Sequence, residues 1–349
     1  MAPTFHLLYL AILLAIIKGG SSSVGVCYSI WGNGSNFASP ANVVEMYQSN
    51  NISRMRLYEP NHMVFDSLQS SGIQVVVGVR REDISLLAMS YDAADLWVQR
   101  NIRNYWPYVH FRYITVGNED IPGSYAQFVL PAIQNLHNAL RVDGLWHRIK
   151  VTTVVSPSVL SVSSPPSAAT FSDNTIEYMA PIVRYLYSIG APLLTNVYPY
   201  FGYVENPIAV PLPYALFTSK NNKLLDSGLV YTNFFDVTVD AFYASLEKVG
   251  VTGVPVAVAE TGWPSNGRNS AATIWNSWVY ITNLIRHVMS SQGTPRRPGE
   301  PIETYLFAMF NEEWKLGGLR ENHFGLFNSD LSPVYPLDFM TSCTTPICI

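Results

Sequence analysis

Two glutamates end apolar runs in this chain. Glu119 closes Phe111 to Glu119 (FRYITVGNE), and Glu260 closes Val254 to Glu260 (VPVAVAE). A carboxylate fixed at the end of such a run is costly to bury unless something uses it. Two of them on rigid strands that face each other suit the hydrolysis of a glycosidic bond. One protonates the leaving oxygen, and the other attacks the anomeric carbon or activates a water, according to the gap between them. The acid then needs a raised pKa, supplied by apolar walls and the neighbouring negative charge. Tyr58, Tyr198, Tyr200, Phe201 and Trp263 fall at or just past the ends of apolar runs. Their flat faces suit the apolar faces of sugar rings.

Eight short apolar segments would have to position these residues. They are Val24 to Tyr28, Ser53 to Tyr58, Ile73 to Val79, Phe111 to Gly117, Ile149 to Val155, Leu193 to Tyr198, Val254 to Glu260 and Thr304 to Phe310. Several are nearly continuous in Val, Ile, Leu and aromatics, the pattern of strands covered on both faces. Helical periods lie between them. Val239, Phe242, Leu246 and Val249 make one stripe, stopped by Gly250; Trp278, Ile281, Ile285 and Val288 make another. Ile133, Leu136 and Leu140 follow Pro131, which is expected in a first helical turn. Strands alternating with helices predict an α/β fold, a single-domain (β/α)8 TIM barrel with its chemistry at the C-terminal strand ends. An open doubly wound sheet fits less well, since no Gly-rich phosphate loop follows the first strand. Ser156 to Thr175 and Tyr198 to Gly228, rich in Ser or Pro, read as long loops at the active face.

Composition narrows the ligand. The 349 residues are 48% hydrophobic, 13% aromatic and only 13% charged, with a formal charge of -4. That excludes a disordered chain and, with no Lys/Arg cluster, argues against nucleic acid. A neutral, polar partner fits. Seven scattered histidines with no HExxH and no paired cysteine ligands predict no metal, and there is no GxSxG elbow. Leu7 to Ile17 followed by small residues reads as a secretory signal peptide within residues 1–23, cleaved between Gly20 and Val24. No later segment reaches membrane-spanning length, and no lipid-anchor tail is expected. Cys27 reads as a buried core thiol; Cys343 and Cys348 could close a small loop. Asn33 and Asn51 head N-glycosylation sequons.

The blocks VGVCYSIWGN, MRLYEPN, ITVGNED, LLTNVYPYF, VAVAETGWPS, ETYLFAMFNEEWK and HFGLFNSD follow one another in order. Together they resemble plant β-1,3-glucanases of glycoside hydrolase family 17 from about Val24 to Phe339. The resemblance implies a barrel over residues 24–340 with a short tail, 341–349. It implies endo-hydrolysis of β-1,3-glucans such as callose, fungal wall glucan or laminarin, with retention and without a cofactor. Glu119 would be the acid/base, Glu260 the nucleophile and Asn118 the partner of the sugar 2-hydroxyl. Glu312, Lys315 and Glu321 match charged positions around that pair, and Tyr58 and Tyr198 match cleft tyrosines. Retention places the two carboxyls about 5 Å apart. A secreted monomer of the extracellular space or cell wall, rather than the vacuole, is expected, with roles in plant defence or callose turnover; some relatives are allergens. A relative acting on mixed β-1,3;1,4-glucans, or a glucan-binding protein of weak activity, are the competing readings. The chain departs from the family at GVRREDI, where Arg80 and Arg81 replace a Pro-Asn-Asp type loop.

Overall fold

The computed structural model describes residues 24–29, 38–221, 223–290, 292–312 and 322–339. The leader, Asn33, Lys315, Glu321, Cys343, Cys348 and the tail 341–349 lie outside them. Eight parallel strands close a barrel: β1 (Val24–Tyr28), β2 (Arg54–Leu57), β3 (Gln74–Gly78), β4 (His110–Asn118), β5 (Lys150–Val155), β6 (Leu193–Asn196), β9 (Val256–Thr261) and β12 (Thr304–Leu306). They hydrogen-bond in that order round the ring, and β12 returns to β1. Each of the eight apolar segments therefore supplies one barrel strand. Two small antiparallel hairpins, β7 (Leu224–Asp226) with β8 (Leu229–Tyr231) and β10 (Gly293–Thr294) with β11 (Arg297–Pro298), sit in the connections.

The strands read as apolar runs because both faces are covered. Val75, Val76 and Val77 of β3 are all 0% exposed, and burying each contributes roughly 1.5–3 kcal/mol. The helices between strands start where the sequence supplies caps. Ser39, Asn61, Ser90, Asn233 and Thr273 each accept a hydrogen bond from a backbone N–H of the first turn. The helix Ile274–Met289 buries one stripe, including Ile281, Ile285 and Val288, as its period predicts. The helix Phe234–Lys248 is buried all round from Phe235 to Leu246. The loop 166–169 covers its outer side, held by Lys248 Nζ donating to the carbonyls of Ser167 and Ala169. Pro131 corrects an expectation. It lies inside the helix Ala126–Val142, not in its first turn. The preceding turn begins with short-range bonds, Ala126 N to Gly123 O and Phe128 N to Tyr125 O.

At the C-terminal mouth the ladder is irregular. Register slips between Thr115 and Asn118 on β4 against β5, and between Thr195 and Asn196 on β6 against β9. Such bulges re-aim side chains beside a site. Gly78 ends β3 where a Cβ would stand 2.2 Å from the Tyr58 carbonyl oxygen. Only glycine lets the tops of β2 and β3 approach this closely.

Candidate active site

Arg56 organises the mouth. It sits mid-strand in β2 and is 1% exposed. One terminal nitrogen donates to Glu260 Oε1 at 2.7 Å and to the Ala259 carbonyl at 3.0 Å; the other donates to Asn118 Oδ1 at 2.8 Å. Burial works against its charge, but Tyr58, Glu260 and the bond to Glu260 raise its pKa overall. A buried arginine with these partners is therefore a fixed cation.

Glu260, at the end of β9, takes three side-chain donors. Arg56 and the Tyr58 hydroxyl (2.9 Å) reach Oε1, and the Tyr198 hydroxyl reaches Oε2 at 2.8 Å. An ionised carboxylate is acceptor-only, so this donor set matches one. Desolvation first, then nearby Cys27 and Glu260, push the Tyr58 phenol well up. Desolvation and Glu260 do the same for Tyr198. Both phenols thus remain O–H donors. Cys27 lies beneath, fully buried as its sequence context predicts, donating to the Ala259 carbonyl at 3.3 Å. Desolvation pushes its thiol up to about 12, so it is not a nucleophile.

Glu119 follows the last residue of β4. Its N–H donates to the Val154 carbonyl at 2.9 Å, and its φ is 62°, left-handed for a non-glycine residue. Such a conformation costs on the order of 1–2 kcal/mol and persists only where the surroundings hold it. Asn196, at the end of β6, donates to Glu119 Oε1 at 2.7 Å and to Asn118 Oδ1 at 3.2 Å. Among the described residues Glu119 has no ion-pair partner. Its pKa is raised, first by desolvation and then by the charges of Glu260 and Asp120, against the Asn196 bond and Arg56. A continuous chain of polar contacts, Glu260–Arg56–Asn118–Asn196–Glu119, thus links the two glutamates.

The other candidates divide. Glu312 is buried and accepts from the Ser29 hydroxyl. Phe201 is half-buried beside Tyr198 and Phe324. Trp263 corrects the sugar-platform expectation. It is 0% exposed, donates through Nε1 to the Ala271 carbonyl at 2.8 Å and stacks edge-on with Tyr200. Tyr200, 1% exposed, is core as well. Both follow strand ends in sequence, yet turn under the loops instead of into the mouth. Asn51 is exposed, in the turn before β2. The described residues contain no group of three or more His, Cys, Asp or Glu that could hold a metal, and no helix long and apolar enough to cross a membrane.

Arg56, Asn196 and Ser29 are the residues the sequence reading passed over. Arg56 carried a signal, a charge inside the apolar run Ser53 to Tyr58. Asn196 carried a weaker one, a lone amide ending Leu193 to Asn196.

A (β/α)8 barrel with two glutamates at the mouth, one held by an arginine and the other by an asparagine among the described residues, has the layout of a carboxylate-pair glycosidase. The chain belongs to the glycosyl hydrolases family 17, whose model matches residues 24–339. It is 46% identical over 320 residues to the basic isoform of glucan endo-1,3-beta-glucosidase from Phaseolus vulgaris, covering 90% of each chain. Among solved structures it is similar to CJP38, a beta-1,3-glucanase and allergen of Cryptomeria japonica pollen. The TM-score is 0.87 and the identity 42%, over 91% of this chain and 99% of that one. It is also similar to a plant beta-glucan endohydrolase, one of two described as having distinct substrate specificities. There the TM-score is 0.85 and the identity 45%, over 90% of this chain and all of that one.

Proposed function

We propose that this chain cleaves internal β-1,3-glucosidic bonds of glucans by double displacement with retention, Glu119 acting as acid/base and Glu260 as nucleophile. The observation that carries the assignment is the contrast between the two carboxylates. Among the described residues Glu260 is surrounded by an arginine and two phenols, whereas Glu119 has a raised pKa and an amide partner. An acid must hold its proton near working pH, and a nucleophile must not.

In the first step Glu119 protonates the glycosidic oxygen while Glu260 attacks the anomeric carbon, forming a glycosyl ester. In the second, Glu119 takes a proton from water, and that water displaces Glu260. Arg56, Tyr58 and Tyr198 stabilise Glu260 again as it leaves, since charge returns to the oxygens they face. Asn118 has its Oδ1 taken by Arg56 and Asn196, which leaves its Nδ2 as the donor for the sugar 2-hydroxyl. The supporting roles of Glu312, Lys315, Glu321 and Phe201 belong to the same reading. So does secretion as a monomer after loss of residues 1–23.

The test is reducing-sugar release from laminarin and from mixed-linkage barley glucan, side by side. Cleavage of laminarin with little action on barley glucan supports the reading. The reverse preference assigns the chain to mixed β-1,3;1,4-glucans, a distinction prompted by the likeness to endohydrolases of differing specificity. Folded protein inert on both overturns the reading and leaves the glucan-binding alternative standing. Retention is read separately, by NMR of the first-formed anomer.

A further inference from the structure

The loop after β3 carries two consecutive arginines, and each fastens a neighbouring loop. Arg80 pairs with Glu59, next to Tyr58 in the loop after β2, at 3.3 Å. Arg80 is exposed and Glu59 partly so, and such a pair contributes little. Arg81 is different. Its Nε meets Asp120 Oδ1 at 2.6 Å, and although the Arg81 side chain is 62% exposed, that of Asp120 is only 4%. The Arg81 guanidinium also lies over the Tyr125 ring, 5.2 Å from its centroid, just before the helix Ala126–Val142.

Asp120 has a second task. Its Oδ2 accepts the backbone N–H of Asn118 at 3.1 Å and sits over Gly117, where a Cβ would stand 3.1 Å away. Gly117 has a φ of 79° and Glu119 one of 62°. The carboxylate therefore bites back onto the turn whose left-handed residues aim Glu119. We infer that Arg81, reaching from the β3 loop, is a positioning residue for Glu119, acting through the Asp120 carboxylate that clamps the 117–119 turn. This inference rests on Glu119 being the acid/base.

The physical reason is asymmetric burial. Asp120 is shielded from water, and Arg81 is its only ion-pair partner among the described residues. Without the guanidinium a buried carboxylate is left uncompensated. It then turns outward toward water, which weakens its hold on the Asn118 N–H. The strained Glu119 backbone is then free to relax, and the acid moves away from the glycosidic oxygen. Displacements of that kind are expensive in rate, because general acid catalysis depends on hydrogen-bond reach. Arg81 also borders a recess of about 170 Å³ beside Asn118 and Tyr58. It could therefore touch sugar directly, and the experiment must separate the two roles.

Arg81→Ala, Arg81→Lys and Asp120→Asn are measured on laminarin and on a dinitrophenyl β-glucoside, whose leaving group needs no acid. For Arg81→Ala the expected result is a fall in kcat on laminarin of about tenfold, with KM on laminarin and kcat for glycosylation by the aryl substrate within about twofold of wild type. Arg81→Lys recovers most of the loss, and adding Asp120→Asn to Arg81→Ala brings no further loss. A raised KM with unchanged kcat would make Arg81 a substrate contact and overturn the inference. So would equal losses on both substrates, or none. Arg81 is exposed, so folding is not at risk, and the thermal midpoint checks this. Glu119→Gln, run in parallel, separates the two readings. If it also fails to discriminate between the substrates, the acid assignment falls and the inference with it. If Glu119→Gln discriminates and Arg81→Ala does not, only the inference falls.

Discussion

The two ends of the barrel carry the same chemistry arranged to opposite effect. At the N-terminal end, Glu303 precedes β12 and takes Arg112 in a bidentate grip, Nε at 2.7 Å and the terminal nitrogen at 2.6 Å. The Tyr113 and Tyr305 hydroxyls add bonds at 3.0 and 2.8 Å, and Arg54 stands at 3.6 Å. At the C-terminal end, among the described residues, Glu260 has one arginine and two tyrosines, but that arginine is shared with Asn118, and a second carboxylate, Glu119, lies beyond. Burial alone would raise Glu303, yet the bond from Arg112 and the charges of Arg54 and Arg112 outweigh it and hold the pKa below the usual range. Glu119 is shifted the other way. Two cations on one carboxylate keep Glu303 in its charged form. Among the described residues one cation serves the two carboxylates at the mouth, and the one it does not touch, Glu119, has its pKa raised.

The largest expected effects come from undoing the upper arrangement. Glu260→Gln keeps the side-chain volume and an acceptor for Arg56 but removes the nucleophile. The turnover number on laminarin should fall at least about a thousandfold, while circular dichroism stays native. Activity within tenfold of wild type would remove Glu260 from that role. Glu119→Gln should lower kcat on laminarin by about 10²–10⁴ and affect kcat/KM on a dinitrophenyl glycoside far less, because that ratio reports the step whose leaving group needs no acid. If Glu119 is the acid, wild-type activity needs it protonated and falls as pH rises through the raised pKa. That alkaline limb should be absent from the variant's pH profile. A limb that persists unchanged belongs to another group.

The barrel and the two glutamates at its mouth were legible in the sequence because they rest on local signals. Doubly covered strands read as apolar runs, and a carboxylate ending such a run stands out at Glu119 and Glu260. What sequence could not show was which way a residue turns just after a strand. Tyr58 and Tyr198 enter the mouth, whereas Trp263 and Tyr200 fold under the loops, though all four follow strand ends. Their direction is decided by loop packing, as in the bond from Trp263 to the Ala271 carbonyl. Asn196 was missed because its partner, Glu119, lies 77 residues away in sequence. Pro131 was misplaced because tertiary packing carries the helix through a residue that usually starts one.

Glu303→Gln probes the lower cluster. It leaves Arg112 and Arg54 facing a neutral side chain in a largely buried site, at a cost of roughly 3 kcal/mol in unfolding free energy. The turnover number on laminarin should stay within about twofold, because Arg56 and Glu260 are untouched. The sign with pH follows from the lowered pKa. Stability from Glu303 is complete above the unfolded carboxyl pKa and is lost as pH falls through the folded one. The variant should therefore lose less stability than wild type on acidification, measured by urea midpoints from pH 6 to pH 3. Parallel curves would show that Glu303 is not what the acid side titrates.

Asp240 supplies a third arrangement, a buried carboxylate with no ion-pair partner among the described residues. It is 0% exposed in the helix Phe234–Lys248, and its Oδ2 accepts the Arg296 N–H at 2.9 Å. Desolvation raises its pKa to about 6, against hydrogen bonds from Thr294, the Arg296 backbone and Tyr231. Here the sign reverses. The folded state binds this proton more tightly than the unfolded chain does, so the contribution is complete below the unfolded pKa of about 3.9 and is lost as pH rises through about 6. Asp240→Asn cannot ionise but keeps an acceptor for the Arg296 N–H. Its stability relative to wild type should rise between pH 4 and pH 8 by no more than about 3 kcal/mol, the equivalent of a two-unit shift. Water reaching the ionised group would reduce that figure. A difference that stays flat across this range would mean that Asp240 titrates normally. Burial without a cation would then not suffice to move a carboxylate in this fold, and the raised pKa of Glu119 would have to be traced to Glu260 and Asp120 ahead of desolvation.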